Sequence, residues 1–314
     1  MSVDTELQAM RTHIADSYNV VANKGGSLPG NQCFANLAQA ISTIGTVEYG
    51  ESRYKQNGTR LQIADYSVVG KFDDIKTIPT NAFYHIFTYT NITGALSFPE
   101  LLSVGAQAMY GAFSNCPNIT SVSLPKLATI AGTGCASTFS HCTGLLSASF
   151  GALTTINSYG SCTSMFANCT NLSSIDLSSL TTINASSGCS YMFELCTSLI
   201  SVDLSSLITI TGYSACDHMF SRCSGLSSID LSSLQSIDGN SACNIMFYNC
   251  TNLTSVSFPS LVSILTTNAL SSMFAGCTNL TAIHFRADIQ STVENLTGYS
   301  SKFGATNATI YFDL

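Results

Sequence analysis

The stretch CDHMFSRC, residues 216–223, holds two cysteines seven positions apart around a Met-Phe pair. Such thiols could ligate a metal, close a disulfide, exchange electrons or fill a core. The chain has thirteen cysteines, and their spacing discriminates among these chemistries. Zinc sites pair cysteines as C-x2–4-C, and no such pair occurs. On a helix, residues seven apart stand roughly 10 Å apart along the axis, whereas a disulfide needs Cα atoms within about 7 Å. One cysteine column is Cys135, Cys162, Cys189, Cys216 and Cys243, with Met109 and Leu270 in the flanking slots and Ile86 placed in the slot of the other column. A ligand position does not tolerate Met, Leu or Ile, but a core position does, because a free cysteine packs as a small hydrophobe. The expectation is therefore buried reduced thiols, with thiol titration in denaturant finding nearly all thirteen free, as suits a reducing compartment.

Other chemistry is sparse. Asp217 beside His218 has no nucleophile placed with it, and the five histidines form no triad, metal or phosphate-loop pattern. The expectation is no enzyme, no metal and no cofactor. The net charge of −7, without a Lys/Arg stripe, argues against nucleic acid. No apolar run approaches the roughly 18 residues of a membrane span. Residues 1–21 show no secretory pattern, so the chain is expected to be soluble and made in the cytosol, or exported by a route other than a cleaved signal.

The elements that carry these residues repeat. Cysteines at 116, 142, 169, 196, 223, 250 and 277 start successive units, one step of 26 and then steps of 27. Each unit carries the skeleton L-x-x-I-x-L-x-x-L-x-x-I, as in Leu172, Ile175, Leu177, Leu180 and Ile183. Its I-x-L part alternates with the period of a strand. The later C-x-x-M-F-x-x-C part places apolar residues at i, i+3, i+4 and i+7, the face of a helix or 3₁₀ segment. Phe113, Phe139, Phe166, Phe193, Phe220, Phe247 and Phe274 form a core spine beside the cysteines. Each unit buries its faces only by stacking on neighbours. Helices about 10 Å wide opposite strands roughly 4.8 Å apart imply a curved stack, strands inside.

The pattern F-x-x-C-x-x-L-x-x-[IV]-x-[LF]-x-x-L-x-x-I resembles the BspA-like leucine-rich repeats over residues 72–285. That resemblance implies an α/β solenoid, an arc of about eight strand-turn-helix units of 26–30 residues, and a role in adhesion or recognition. The first unit, FDDIKTIPTNAFYHI, keeps Phe72, Ile75, Ile78 and Phe83, with Ile86 standing for the cysteine.

Strand residues between the apolar ones point to the open face. They comprise Ser174, Asp176 and Ser178; Ser201, Asp203 and Ser205; and Ser228, Asp230 and Ser232, flanked by Ser121, Ser123, Ser147, Ser149, Ser255, Ser257, His284 and Arg286. This concave face is the candidate binding surface: an acceptor row for sugar hydroxyls or basic peptide groups, a weak cation site, or a solvated face that prevents aggregation. Stacked carboxylates roughly 5 Å apart also repel one another. The opposite rim offers Tyr110, His141, Tyr191, Asp217, His218, Arg222 and Tyr248. Frequent Asn-x-Ser/Thr triplets follow from the repeat's turns.

The ends are not repeat. Leu7, Met10, Ile14, Tyr18 and Val21 mark one amphipathic helix, GGSLPG at 25–30 breaks it, and Phe34, Leu37, Ile41 and Ile44 mark a second. Residues 1–45 are expected to form a helical hairpin, either a cap or an assembly module. Glu6–Ile44 resembles the N-terminal segment of phage and prophage tail-associated proteins. Residues 46–71 read as a short β segment with an Asn57-Gly58 hairpin turn, and 286–314 as a C-terminal cap with a helix over 292–303 and a closing strand. The resemblances together imply a virion tail protein assembled in the cytoplasm, with a protein or glycan on a host surface, or other virion subunits, as partners; the alternative is a bacterial cell-surface or extracellular adhesin.

Overall fold

The computed structural model describes residue 72 and residues 75–90 and 92–314. The chain divides into two units, Met1–Ile63 and Ala64–Leu314, and the described residues all belong to the second. The expected hairpin at 1–45 and the β segment at 46–71 lie outside the described residues.

The repeats form a parallel solenoid with two strand columns, numbered in chain order. One column holds the two-residue strands β1 (Thr77–Ile78), β3 (Ser103–Val104), β5 (Thr129–Ile130), β7 (Thr155–Ile156), β9 (Thr182–Ile183), β11 (Thr209–Ile210) and β13 (Ser236–Ile237). The other holds β2 (Gly94–Ser97), β4 (Ile119–Ser123), β6 (Ser147–Ser149), β8 (Ser174–Asp176), β10 (Ser201–Asp203), β12 (Ser228–Asp230), β14 (Ser255–Phe258), β15 (Ala282–Phe285) and β16 (Thr309–Phe312). All pairing is parallel and equivalent residues face each other, as in Ser147↔Ser174 and Asp203↔Asp230. The second column therefore marks nine turns of the coil. The apolar skeleton is the core: Leu172, Leu177, Leu180 and Ile183 are almost fully buried and Ile175 is 8% exposed.

The segment expected to be helical is not a helix in any repeat. Between Ala185 and Cys196, alternate N–H groups close four-residue turns: Gly188 to Ala185 O, Ser190 to Ser187 O, Met192 to Cys189 O, Glu194 to Tyr191 O and Cys196 to Phe193 O. The intervening N–H groups leave the segment. Ser187, Cys189, Tyr191, Phe193 and Leu195 donate to Tyr213, Ala215, Asp217, Met219 and Ser221 of the next coil at 2.8–2.9 Å. Ser187, Tyr191 and Leu195 have φ of 52°, 57° and 61°. A left-handed third residue is the signature of a type II turn, so type II turns alternate with right-handed ones. A helix would satisfy all these N–H groups internally; the turn ladder spends half of them on the next coil. The ladder stacks at sheet-like spacing, which removes the width mismatch from which curvature was expected. The i, i+3, i+4, i+7 pattern is real, because Cys189, Met192, Phe193 and Cys196 are all buried, but a run of linked turns presents it as a helix does.

The first coil is also in a different register from the one expected. Phe87, not Phe83, stacks on Phe113 at 5.0 Å, and Phe83 donates to Ala108 O, level with Met109. The residue in the cysteine slot is thus Thr90, not Ile86. At the far end the helix expected over 292–303 is two short pieces, α-helical Gln290–Glu294 and 3₁₀ Tyr299–Gly304. Left-handed Lys302 and Phe303 instead turn the Phe303 carbonyl to accept Phe274 N–H at 2.9 Å, ending the ladder. β16 closes the sheet against β15.

The two cysteine columns differ in their chemistry. In the first, each sulfur lies 3.0–3.3 Å from a phenylalanine carbonyl of the preceding coil: Cys142 to Phe113, Cys169 to Phe139, Cys196 to Phe166, Cys223 to Phe193, Cys250 to Phe220 and Cys277 to Phe247. Cys116 does the same to Phe87 O at 3.1 Å, and Thr90, in the same slot of the first coil, donates at 2.8 Å to Phe87 O of its own coil. The slot therefore takes a donor. Burial pushes the Cys169, Cys223 and Cys277 thiols up to about 12, so at neutral pH the proton needed for donation is present. The second column (Phe83, Met109, Cys135, Cys162, Cys189, Cys216, Cys243 and Leu270) takes apolar groups of several sizes, all buried. Cys196→Ser should therefore cost less than about 1 kcal/mol, because its hydroxyl inherits the carbonyl. Cys189→Ser buries a hydroxyl with no carbonyl waiting and should cost about 1–3 kcal/mol, read by urea unfolding of each variant.

Candidate functional site

The nine residues expected on the strand face are all at least partly exposed. Pairing brings Ser201 beside Ser228 and Asp203 beside Asp230 on β10 and β12, and Ser174 and Asp176 beside Ser147 and Ser149 on β6 and β8. Between β8 and β10 the strand ladder is interrupted. The aspartates have a local task that the charge argument alone did not reveal. Asp176 Oδ1 accepts from Ser178 N and Oγ at 3.1 and 2.7 Å, Asp203 Oδ1 from Ser205 N at 2.9 Å, and Asp230 Oδ1 from Ser232 N at 2.9 Å. Each D-x-S is thus an Asx turn that ends its strand. The signal was available in the sequence, since the Asp and its Ser are two residues apart in each unit.

Hydrogen bonds from Ser205 hold the Asp203 carboxyl below its ordinary range. A depressed carboxylate contributes stability above its unfolded value of about 4 and loses it as pH falls through the folded one. The turn therefore weakens only in acid. One oxygen of each carboxylate is committed to the turn, and the other remains directed to solvent among the serine hydroxyls.

Upstream, the same face dips. A shallow depression of about 420 Å³ is lined by Ser121, Ser123, Ser147, Ser149, Ser174 and Asp176, with Val122, Ala148 and Ile175 beneath. Ala148 is the small residue in a buried column otherwise filled by leucine, valine and isoleucine. At the downstream end the face changes character: His284 stacks on Tyr311 at 4.9 Å and its Nδ1 lies 2.9 Å from Asp313 Oδ1, while Arg286 turns away to pair with Asp288.

On the turn side, Tyr191 stacks on His218 at 4.5 Å, His218 Nδ1 lies 3.0 Å from Asp217 Oδ2, and Asn244 donates to Asp217 Oδ1 at 2.9 Å. Asp217 and His218 are adjacent as the sequence suggested, with no hydroxyl or thiol nucleophile bonded to the imidazole. Among the described residues no cluster could hold a metal ion, and no helix is long and apolar enough to cross a membrane.

A stack of parallel coils, each with a short strand, a hydroxyl-rich open face and a phenylalanine spine, defines a leucine-rich-repeat solenoid. The sequence pattern of the BspA type leucine-rich repeat region matches in six copies, over residues 69–187, 110–244 and 164–303. The chain belongs to that family. Among solved structures it is similar to a leucine-rich repeat protein of T. pallidum (19% identity, 60% of this chain and 68% of that one, TM-score 0.33) and one of Bacteroides ovatus (19%, 76% and 76%, TM-score 0.28). A leucine-rich cell surface protein of Faecalibacterium prausnitzii also matches (15%, 76% and 82%, TM-score 0.24). No curated protein matches the chain.

Proposed function

We propose that the chain is a non-enzymatic interaction protein whose strand face docks a protein or a cell-surface glycan, and that residues 1–45 attach it to a phage or prophage tail. The observation that carries the docking reading is the exposed row of serine and aspartate side chains, in register over β4, β6 and β8 and again over β10 and β12, with Asx turns fixing Asp176, Asp203 and Asp230. A rigid scaffold that repeats one polar pattern gains many weak contacts without ordering cost. The candidate docking residues are Ser174, Asp176, Ser178, Ser201, Asp203, Ser205, Ser228, Asp230 and Ser232. Tail attachment is supported by the sequence of Glu6–Ile44.

The second reading is a bacterial cell-surface adhesin, supported by the family itself, in which 1–45 caps the array. Mass spectrometry of particles induced and purified from the source organism, alongside washed cell envelopes and medium, separates the two. Enrichment in particles supports tail attachment. Recovery only from envelopes or medium sinks it and supports the adhesin.

A further inference from the structure

The turn side departs from the repeat where the strand face obeys it. The left-handed positions of the turns favour Gly and Asn, and bulky residues there are strained. Down one such column the residues are His85, Gly111, Ser137, Ser164, Tyr191, His218, Ile245 and Ser272, with φ between 51° and 57°. Tyr191 and His218 occupy positions where the two preceding coils manage with serine. His85 and Ile245 are bulky in the same column, so what sets Tyr191 and His218 apart is the stacked pair of rings they form.

Two tyrosine rings lie in adjacent columns on either side of those serines. Tyr110 stacks on Tyr84 at 5.4 Å and packs edge-on to His85, both in the preceding coil. Tyr191 stacks on His218, in the following coil. Tyr110 belongs to the column that continues through Ala136 and Thr163, and Tyr191 to the adjacent column of Ser137 and Ser164; the stacking partner of Tyr191 lies in the following coil, which leaves its other face over Ser164. Three coil steps, 5.5, 5.6 and 5.6 Å in the neighbouring phenylalanine spine, separate them. The floor is small: Ala136 is buried, Ser137 and Ser164 are half-exposed, and among the described residues neither hydroxyl has a hydrogen-bond partner.

We propose that the open face of Tyr191, above the small side chains of Ser164 and Ser137, is a carbohydrate subsite that takes a terminal pyranose. The weakly positive C–H face of a pyranose matches the negative face of an aromatic ring. The ring is held flat by His218 behind it, so binding it costs little side-chain entropy. The Ser137 and Ser164 hydroxyls lie where the sugar's hydroxyls would need partners; burial, then the charges of Asp217 and Glu194, push the Tyr191 hydroxyl up, and Glu194 adds an acceptor nearby. The subsite lies on the opposite side from the proposed docking face, and either can fail without the other.

The test is saturation-transfer NMR on the full chain with methyl β-D-glucopyranoside, methyl β-D-galactopyranoside and methyl N-acetyl-β-D-glucosaminide. At least one glycoside should receive saturation at its ring C–H protons. The signal should fall at least tenfold in Tyr191→Ser, a variant that restores the residue of the preceding coils, and persist in Tyr191→Phe and in Asp203→Asn. No transfer to any of the three, or transfer undiminished in Tyr191→Ser, overturns the proposal.

Discussion

Phe220→Ala should destabilise the array by about 3–5 kcal/mol. Phe220 is fully buried. It lies 5.4 Å from Phe193 and 5.5 Å from Phe247 with nearly parallel rings. The void left by its ring has little means of collapsing, because the backbone on either side is pinned: Phe220 N donates to Met246 O, and its carbonyl accepts both Cys223 N and the Cys250 thiol. Stability in a stacked array is a sum over neighbours, so the loss falls on the coils before and after this one. Urea unfolding followed by tyrosine fluorescence should show a lowered midpoint, with the transition splitting into two where the array is cut. A shift worth less than about 1 kcal/mol would mean that the spine is not continuous.

Gly239→Ala is the second large effect. A Cβ at Gly239 would lie 2.2 Å from Gly212 O, 2.7 Å from Gly212 C and 2.8 Å from Thr211 O. These are backbone atoms of the preceding coil and cannot swing aside as a flexible side chain would. Adjacent coils must part, and overpacking of this kind costs about 1–3 kcal/mol or more. Gly151→Ala is the matched control. There the nearest atom is Pro125 O at 3.4 Å and φ is not positive, so the smaller entropy of the unfolded chain should leave the variant neutral or stabilised by up to about 1 kcal/mol. Equal behaviour of the two variants in thermal unfolding would contradict the close approach of the coils.

The parts of the fold that were legible in the sequence are those set by side-chain burial. The period, the I-x-L strands and the phenylalanine spine follow from apolar spacing, which backbone conformation hardly alters. The turn ladder was not legible, because linked four-residue turns and a helix bury the same i, i+3, i+4, i+7 positions. What distinguishes them is where alternate N–H groups go, which residue types signal only weakly: Asn115, Asn168, Asn249 and Gly276 sit at left-handed positions that favour them, but Leu195 and Arg222 share that column. The first coil slipped by four residues because Phe83 and Phe87 both offer an aromatic and Thr90 does not look like cysteine until its donor role is seen. The thiols are buried as their exchange with Met and Leu implies. All twelve cysteines from Cys116 to Cys277 are free and buried. At the candidate face, the aspartate row follows from strand alternation, whereas no residue type in β4, β6 or β8 signals the depression over them.

The measurement that bears most directly on the strand face as a docking surface is retention of the labelled full chain on a panel of intact bacterial and epithelial cells. The comparison variant carries Ser174→Arg, Ser201→Arg and Ser228→Arg together, which crowds the exposed row while leaving every Asx turn and the core intact. The account predicts an unchanged unfolding midpoint and at least tenfold weaker retention. Unchanged retention in a folded variant would place recognition elsewhere on the molecule and contradict it.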